Sequence, residues 1–220
     1  MCDTLVWSFG AVTSLNWLEI IKTLASSAVA GIAFFALRNW QRQDKAKREA
    51  EFLDTLIEAV QTYIVELPRS VTLVAMAKIG MVSQVPSWEE GDEVVKAVKG
   101  AFAYIEARGA EDANRLLEAL VILRPSSVRL RSLSAKGRVF KFSGYEKCLN
   151  AIATLTWQFD RMQAFATMIG SPTLNWENPE VLDTFEKAIS LTADDIRSHV
   201  EKSNLSAIEF VTETYAKIYG

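Results

Sequence analysis

Apolar residues recur every three or four positions along most of this chain, which is the spacing of one face of an α-helix. The longest such series is Cys148, Ile152, Leu155, Phe159, Met162, Ala166 and Ile169, followed by Gly170. It predicts a central core helix that stops at the glycine. An earlier series is Ala46, Ala50, Leu53, Ile57, Val60, Ile64 and Leu67, followed by Pro68. It predicts either a coiled-coil stalk that self-associates or an amphipathic helix that packs on its own domain.

Glycine, proline and capping residues predict the other helix ends. Gly109 is expected to stop one helix, and the next should end before Pro125. Asn178 followed by Pro179 predicts a capped helix start, and Thr192 is the expected N-cap of the last helix. The pattern therefore predicts a mainly α-helical protein.

The spacing changes to two between residues 127 and 142. The runs SVRLRSL (127–133) and RVFKF (138–142) both alternate apolar and polar residues, and four residues join them. This pattern predicts a small β-hairpin within an otherwise helical bundle. A helix with a loop is the alternative, because short apolar runs do not distinguish the two.

The N-terminal part of the chain contains the strongest apolar run. No charged residue occurs from Thr23 to Leu37, and Trp17 and Trp40 bracket the run roughly 34 Å apart along a helix. This predicts a transmembrane helix over residues 16–40. A buried helix of a soluble domain and a cleaved signal peptide are the alternatives, since the uncharged part alone spans only about 22 Å.

Flanking charge predicts the orientation of this helix. Cations crowd its C-terminal side: Arg38, Arg42, Lys45, Lys47 and Arg48 stand against the single acid Asp44. The positive-inside rule then places the N-terminus outside and the rest of the chain in the cytoplasm. Ser27 and Gly31 form a small-x-x-x-small pair in the run, which predicts helix association and a homo-oligomer.

These expectations divide the chain into four parts. Residues 1–15 are a short external N-terminus, 16–40 the transmembrane helix, 41–67 the helical stalk and 68–220 a cytoplasmic helical domain. The chain is 50% hydrophobic and 23% charged, which excludes a disordered protein. Its two cysteines and one histidine exclude a disulfide framework and a multi-histidine metal site. We expect no enzyme activity, cofactor or metal, since the sequence contains no nucleophile motif and no glycine-rich phosphate loop.

Charge is distributed unevenly in the predicted cytoplasmic domain. Between Arg124 and Lys147 there are seven cations and one acid, Glu146. The candidate ligand-binding residues are Arg124, Arg129, Arg131, Lys136, Arg138 and Lys141. This basic block predicts a phosphate-bearing ligand such as a nucleotide or nucleic acid. Contact with anionic lipid headgroups is a second interpretation, and a solvated face or a partner for the acidic helices is a third.

The segment ALRNWQRQDKAKREAEFLDTLIEAVQTYI (36–64) resembles the region after the anchor in small bacterial membrane proteins. In those proteins one N-terminal span passes into a charged helix and then a helical cytoplasmic domain. Some proteins of this layout are membrane effectors of anti-phage defence systems. The resemblance covers residues 20–64, rests on architecture, transfers no functional residues and implies a bacterial inner-membrane location.

Two functional hypotheses follow. The first is an oligomeric, membrane-anchored defence effector that acts on the membrane as a gated pore, under control of a ligand bound by its cytoplasmic domain. The second is a passive membrane tether or scaffold that recruits a cytoplasmic protein partner. A hydrolase or transferase would depend on His199, the only histidine in the chain.

Overall fold

The computed structural model describes residues 17–85 and 93–220, and helices account for most of both ranges. The helices are α1 (Trp17–Glu66), α2 (Pro68–Ser83), α3 (Glu93–Tyr104), α4 (Ala110–Phe140), α5 (Tyr145–Ile169), α6 (Pro179–Ile189) and α7 (Ala193–Tyr219). One π-helical turn, Ile105–Gly109, joins α3 to α4. No strand occurs within these two ranges, so the mainly α prediction is confirmed. The expectations for residues 1–15 and for the Trp17 side chain lie outside the described residues.

The chain divides into two compact units, Met1–Glu49 and Ala50–Gly220. In the first, the described residues form the N-terminal part of α1, and its large apolar side chains from Ile21 to Trp40 are exposed. One helical stretch within Glu19–Ser83 is long and apolar enough to cross a membrane. Its most apolar window has a mean hydropathy of 1.8, and none of that window is buried among the described residues. The structure therefore contains one candidate membrane span near the N-terminus.

The second unit has its own apolar core, organised around α5. All seven apolar residues of the long series on α5 are buried, and this helix packs mainly against α4 and α7. The prediction of a central core helix ending at Gly170 is confirmed, since α5 ends at Ile169.

Residues 50–66 of α1 also belong to this core. Leu53, Leu56, Val60 and Tyr63 are buried, and the Tyr63 hydroxyl donates a hydrogen bond of 2.7 Å to the Leu155 carbonyl. This segment thus packs on its own domain, as the second interpretation of its apolar series expected. The compact unit begins at Ala50, inside the stretch that the sequence assigned to a stalk.

Capping residues were predicted correctly at two helix starts. The Asn178 side chain accepts a 2.9 Å hydrogen bond from the Glu180 backbone N–H, and the Thr192 hydroxyl accepts one of 3.1 Å from that of Asp195. Each bond satisfies a backbone donor that the first turn of a helix leaves free. These caps fix the starts of α6 and α7.

The predicted β-hairpin at 127–142 is wrong, because residues 127–140 belong to α4. Leu123, Leu130 and Leu133 are buried at helical spacing, and burial on this one face outweighs the local alternation. Pro125 also lies inside α4 and does not end it. It sits on the exposed face, where water can hydrogen-bond to the Val121 carbonyl that proline leaves without a donor.

Gly109 does not stop a helix either. It closes the π-helical turn, and α4 continues directly from it. A Cβ atom at this position would lie 2.2 Å from the carbonyl oxygen of Ile169. The glycine therefore permits close packing of this turn against the C-terminal end of α5.

Candidate ligand-binding surface

The structure separates the six predicted ligand-binding residues. All six are exposed, five of them on α4, and Lys141 is the left-handed C-cap of that helix with φ of 54°. At about 100° of rotation per residue, Arg124, Arg131 and Arg138 form one row along α4. Arg129 and Lys136 form a second row, about 140° away around the helix. Cations that are close in sequence therefore do not converge on one point.

Two of these arginines pair with acids of neighbouring helices. A guanidinium nitrogen of Arg129 lies 3.2 Å from the carboxylate of Glu58 on α1. The corresponding nitrogen of Arg131 lies 2.7 Å from both oxygens of Asp160 on α5. Both pairs are partly exposed, so each contributes about 0.2–1 kcal/mol. This arrangement matches the interpretation of the basic block as a partner for acidic helices.

The other four members have a different environment. Within residues 17–85 and 93–220, no carboxylate forms an ion pair with Arg124, Lys136, Arg138 or Lys141. Burial raises the pKa of the Tyr145 hydroxyl, and the nearby charge of Arg138 opposes that shift. These four cations remain available to an external anion.

Two cavities in the second unit are lined by residues other than these six. One of about 360 Å³ lies where α1, α2 and α7 meet, with an apolar floor that includes Leu67 and Val71 and a rim that includes Arg197 and Glu201. The other, of about 430 Å³, lies beside Trp157 on α5. The six cations of the basic block are therefore exposed to solvent and do not line these two cavities.

One cluster around Trp157, beside the second cavity, was not predicted from the sequence. The Arg161 guanidinium lies 4.7 Å from the centre of the Trp157 ring, and the His199 ring meets that ring edge-on at 6.4 Å. The sequence signal that could have predicted this contact is a tryptophan and an arginine four residues apart on one helix. The His199 Nδ1 atom is 2.7 Å from the Asp195 carbonyl oxygen, so a contact within its own helix occupies that nitrogen.

The candidate oligomer contacts lie on the exposed part of α1. Ser27 and Trp40 are exposed, and a Cβ atom added to Gly31 would meet no atom within 4 Å. The Ser27–Gly31 row is thus open among the described residues.

Reactive groups in the described residues are buried or scattered. Burial raises the pKa of the Cys148 thiol to about 12. No group of three or more His, Cys, Asp or Glu side chains that would hold a metal occurs in the two described ranges. Comparison of the chain with protein-family models, curated proteins and solved structures gave no match. A functional proposal for this chain therefore depends on its own surfaces and not on similarity to a known protein.

Proposed function

We propose that this chain is a single-span membrane tether whose unit Ala50–Gly220 recruits a protein partner in the cytoplasm. The observation that supports the anchor is the exposure of every large apolar side chain described between Ile21 and Trp40. Inserting such a side chain into a membrane is favourable by about 0.3–0.6 kcal/mol, and none of this stretch is buried among the described residues. A bilayer would cover this stretch.

A mixed acidic and apolar face on α7 supports partner recruitment. Glu201, Glu209 and Glu213 are exposed, and Leu205 and Ile208 lie exposed between them. At about 100° per residue the five fall on one side of the helix. Apolar side chains within a charged rim are typical of a protein-binding surface, and the acids favour a basic partner.

Membrane insertion and orientation are tested together with the natural cysteines. Cys148 is buried, so a membrane-impermeant maleimide should label Cys2 alone in intact cells. The chain should also remain in the membrane pellet after alkaline washing. Labelling only after permeabilisation would reverse the orientation, and release into the alkaline supernatant would refute the anchor.

Recruitment is tested by a photo-crosslinking residue at Leu205, with one at Val95 on α3 as the control. The two side chains are similarly exposed, at 61% and 50%. The Leu205 probe should give an adduct with a cytoplasmic protein, and Glu209→Gln with Glu213→Gln should abolish it. Equal adducts from both positions would contradict a defined partner surface.

A second candidate is the oligomeric gated pore, favoured by the open row at Ser27 and Gly31. Helices with small residues at this spacing approach closely in lipid. Reconstituted protein should then conduct ions and crosslink as an oligomer, and Gly31→Leu should remove both properties. Monomeric protein without conductance would refute the pore. If the protein acts in anti-phage defence, the role that the resemblance implies, the wild-type protein should conduct ions. Cells that carry Gly31→Leu should then lose their protection against phage.

A further inference from the structure

The side of α4 that faces away from the core carries an apolar row. Val121, Val128 and Val139 are 62%, 59% and 77% exposed, although valine is usually buried. At about 100° per residue these valines lie within roughly 20° of one another, with Pro125 beside them. Leu130 and Leu133, which face the core, lie on the opposite side. The helix is therefore apolar on two opposite faces.

The two rows of cations flank this outward apolar row. Arg124 and Arg138 lie on one side of the valines and Arg129 and Lys136 on the other, each about 60–100° from the row. The sequence from 119 to 145 contains no acid. An apolar strip bordered by cations on both sides therefore runs along α4, and one of these cations, Arg129, also contacts Glu58 of α1.

We infer that the outward face of α4, residues 121–139, docks on an anionic lipid surface. Valine side chains enter the boundary between headgroups and acyl chains, while the flanking arginines and lysine remain at the level of the phosphates. Lipid headgroups present phosphate over a flat area, so the two rows of cations need not converge. The two separate rows of cations suit the flat array of phosphates on a bilayer.

A nucleic acid fits this face less well. It would bring charged phosphates and polar sugars against the valine row, and it would gain nothing from burying those valines. An acidic protein would match the cations, and the test below distinguishes it from a bilayer. The bilayer has the further advantage that the chain's own candidate span would hold one close by, which raises its effective concentration.

The test places an environment-sensitive dye on α4 of the full-length protein. The label is attached to Val128→Cys in a Cys2→Ser background, where the remaining Cys148 is buried. The protein is reconstituted in vesicles of phosphatidylcholine alone or with added phosphatidylglycerol. The matched control carries the dye at Leu205→Cys on α7, since Leu205 is 61% exposed and Val128 59%. A second placement at Val139→Cys guards against a local effect of the first substitution.

We expect both α4 labels to shift to the blue and to be quenched by lipid-borne nitroxide only in the anionic vesicles, and high salt should reverse the effect. The Leu205 label should remain in water. Arg124→Gln with Arg138→Gln should lower the ratio of docked to undocked protein about 25-fold, since each cation near an anionic surface contributes about fivefold.

Three results would overturn the inference. The α4 labels could stay in water in anionic vesicles, or shift equally in neutral ones. They could instead respond only to an added oligonucleotide or acidic protein, which would assign the face to that partner. The inference does not depend on the proposed anchor, because a chain that failed to insert would still bind anionic vesicles through α4.

Discussion

Introducing one charge into the exposed apolar part of α1 tests the anchor most directly. We choose Val29→Arg, because Val29 lies midway between Trp17 and Trp40 and is 66% exposed. The control is Val65→Arg, which makes the same change on the same helix at a residue that is 77% exposed within the second unit. Any general effect of an added arginine should appear equally in both variants.

The expected magnitude follows from the residues of the candidate span. From Ile20 to Leu37 its large apolar side chains besides Val29 are Ile20, Ile21, Leu24, Ile32, Phe34, Phe35 and Leu37. Each favours insertion by about 0.3–0.6 kcal/mol, or roughly 2–4 kcal/mol together. An arginine at the centre of a span opposes insertion by about 2.5–3.5 kcal/mol. Val29→Arg should therefore cancel most of the driving force and lower the ratio of inserted to non-inserted chains about 100-fold or more.

The assay compares the fraction of each variant that stays in the membrane pellet after alkaline washing. Wild-type protein and Val65→Arg should remain in the pellet, and Val29→Arg should move to the supernatant. Retention of Val29→Arg at the level of Val65→Arg would mean that this stretch does not lie in lipid, and the anchor would be refuted.

Three further predictions concern the second unit. Gly137→Ala should destabilise it by about 1–3 kcal/mol despite the better helix propensity of alanine, because the new Cβ would lie 2.1 Å from the Tyr145 hydroxyl oxygen; urea-induced exposure of the Cys148 thiol measures this. Since the pKa of Cys148 is raised from 9.0 to about 12, its stabilising contribution is complete below pH 9.0 and is lost as the pH rises towards 12. Unfolding midpoints should accordingly fall over that range, and less steeply in Cys148→Ala. Lys78→Met should change the free energy of unfolding by less than about 1 kcal/mol, because the cost of burying the Lys78 ammonium offsets what its hydrogen bond contributes. Burial lowers the pKa of this ammonium, which donates one hydrogen bond of 2.5 Å to the Ile189 carbonyl. Chemical denaturation measures the effect, and Lys78→Glu serves as the variant that should be destabilised.

The sequence predicts α5 well because two sequence signals, the apolar spacing and the closing glycine, agree there. Its apolar spacing holds from Cys148 to Ile169, a glycine follows, and every apolar member of the series is buried. Asn178 and Thr192 are equally clear, because a cap depends on a side chain and a backbone N–H only two or three residues away. Local interactions of this kind can be predicted from the sequence without knowledge of the fold.

Tertiary packing decides what the sequence does not predict. Residues 127–142 alternate as a strand would, yet Leu130 and Leu133 are buried by helical contacts within the domain. Gly109 looks like a helix stop, although its role depends on the carbonyl of Ile169, 60 positions further along the chain. The spread of the basic block follows from the same error, since cations assigned to two strands and a loop lie around one helix.

The corrected α4 and the candidate span lead to one combined prediction. Val29→Arg protein, if it leaves the membrane, should still sediment with phosphatidylglycerol vesicles and be released by salt, because the valines and cations of α4 are untouched. Adding Arg124→Gln and Arg138→Gln should weaken that binding about 25-fold. If the Val29→Arg chain showed no affinity for anionic vesicles, membrane association would rest on α1 alone. Salt-sensitive binding that disappears with the two glutamines would show that the same chain meets the bilayer through an inserted helix and through a charged surface helix.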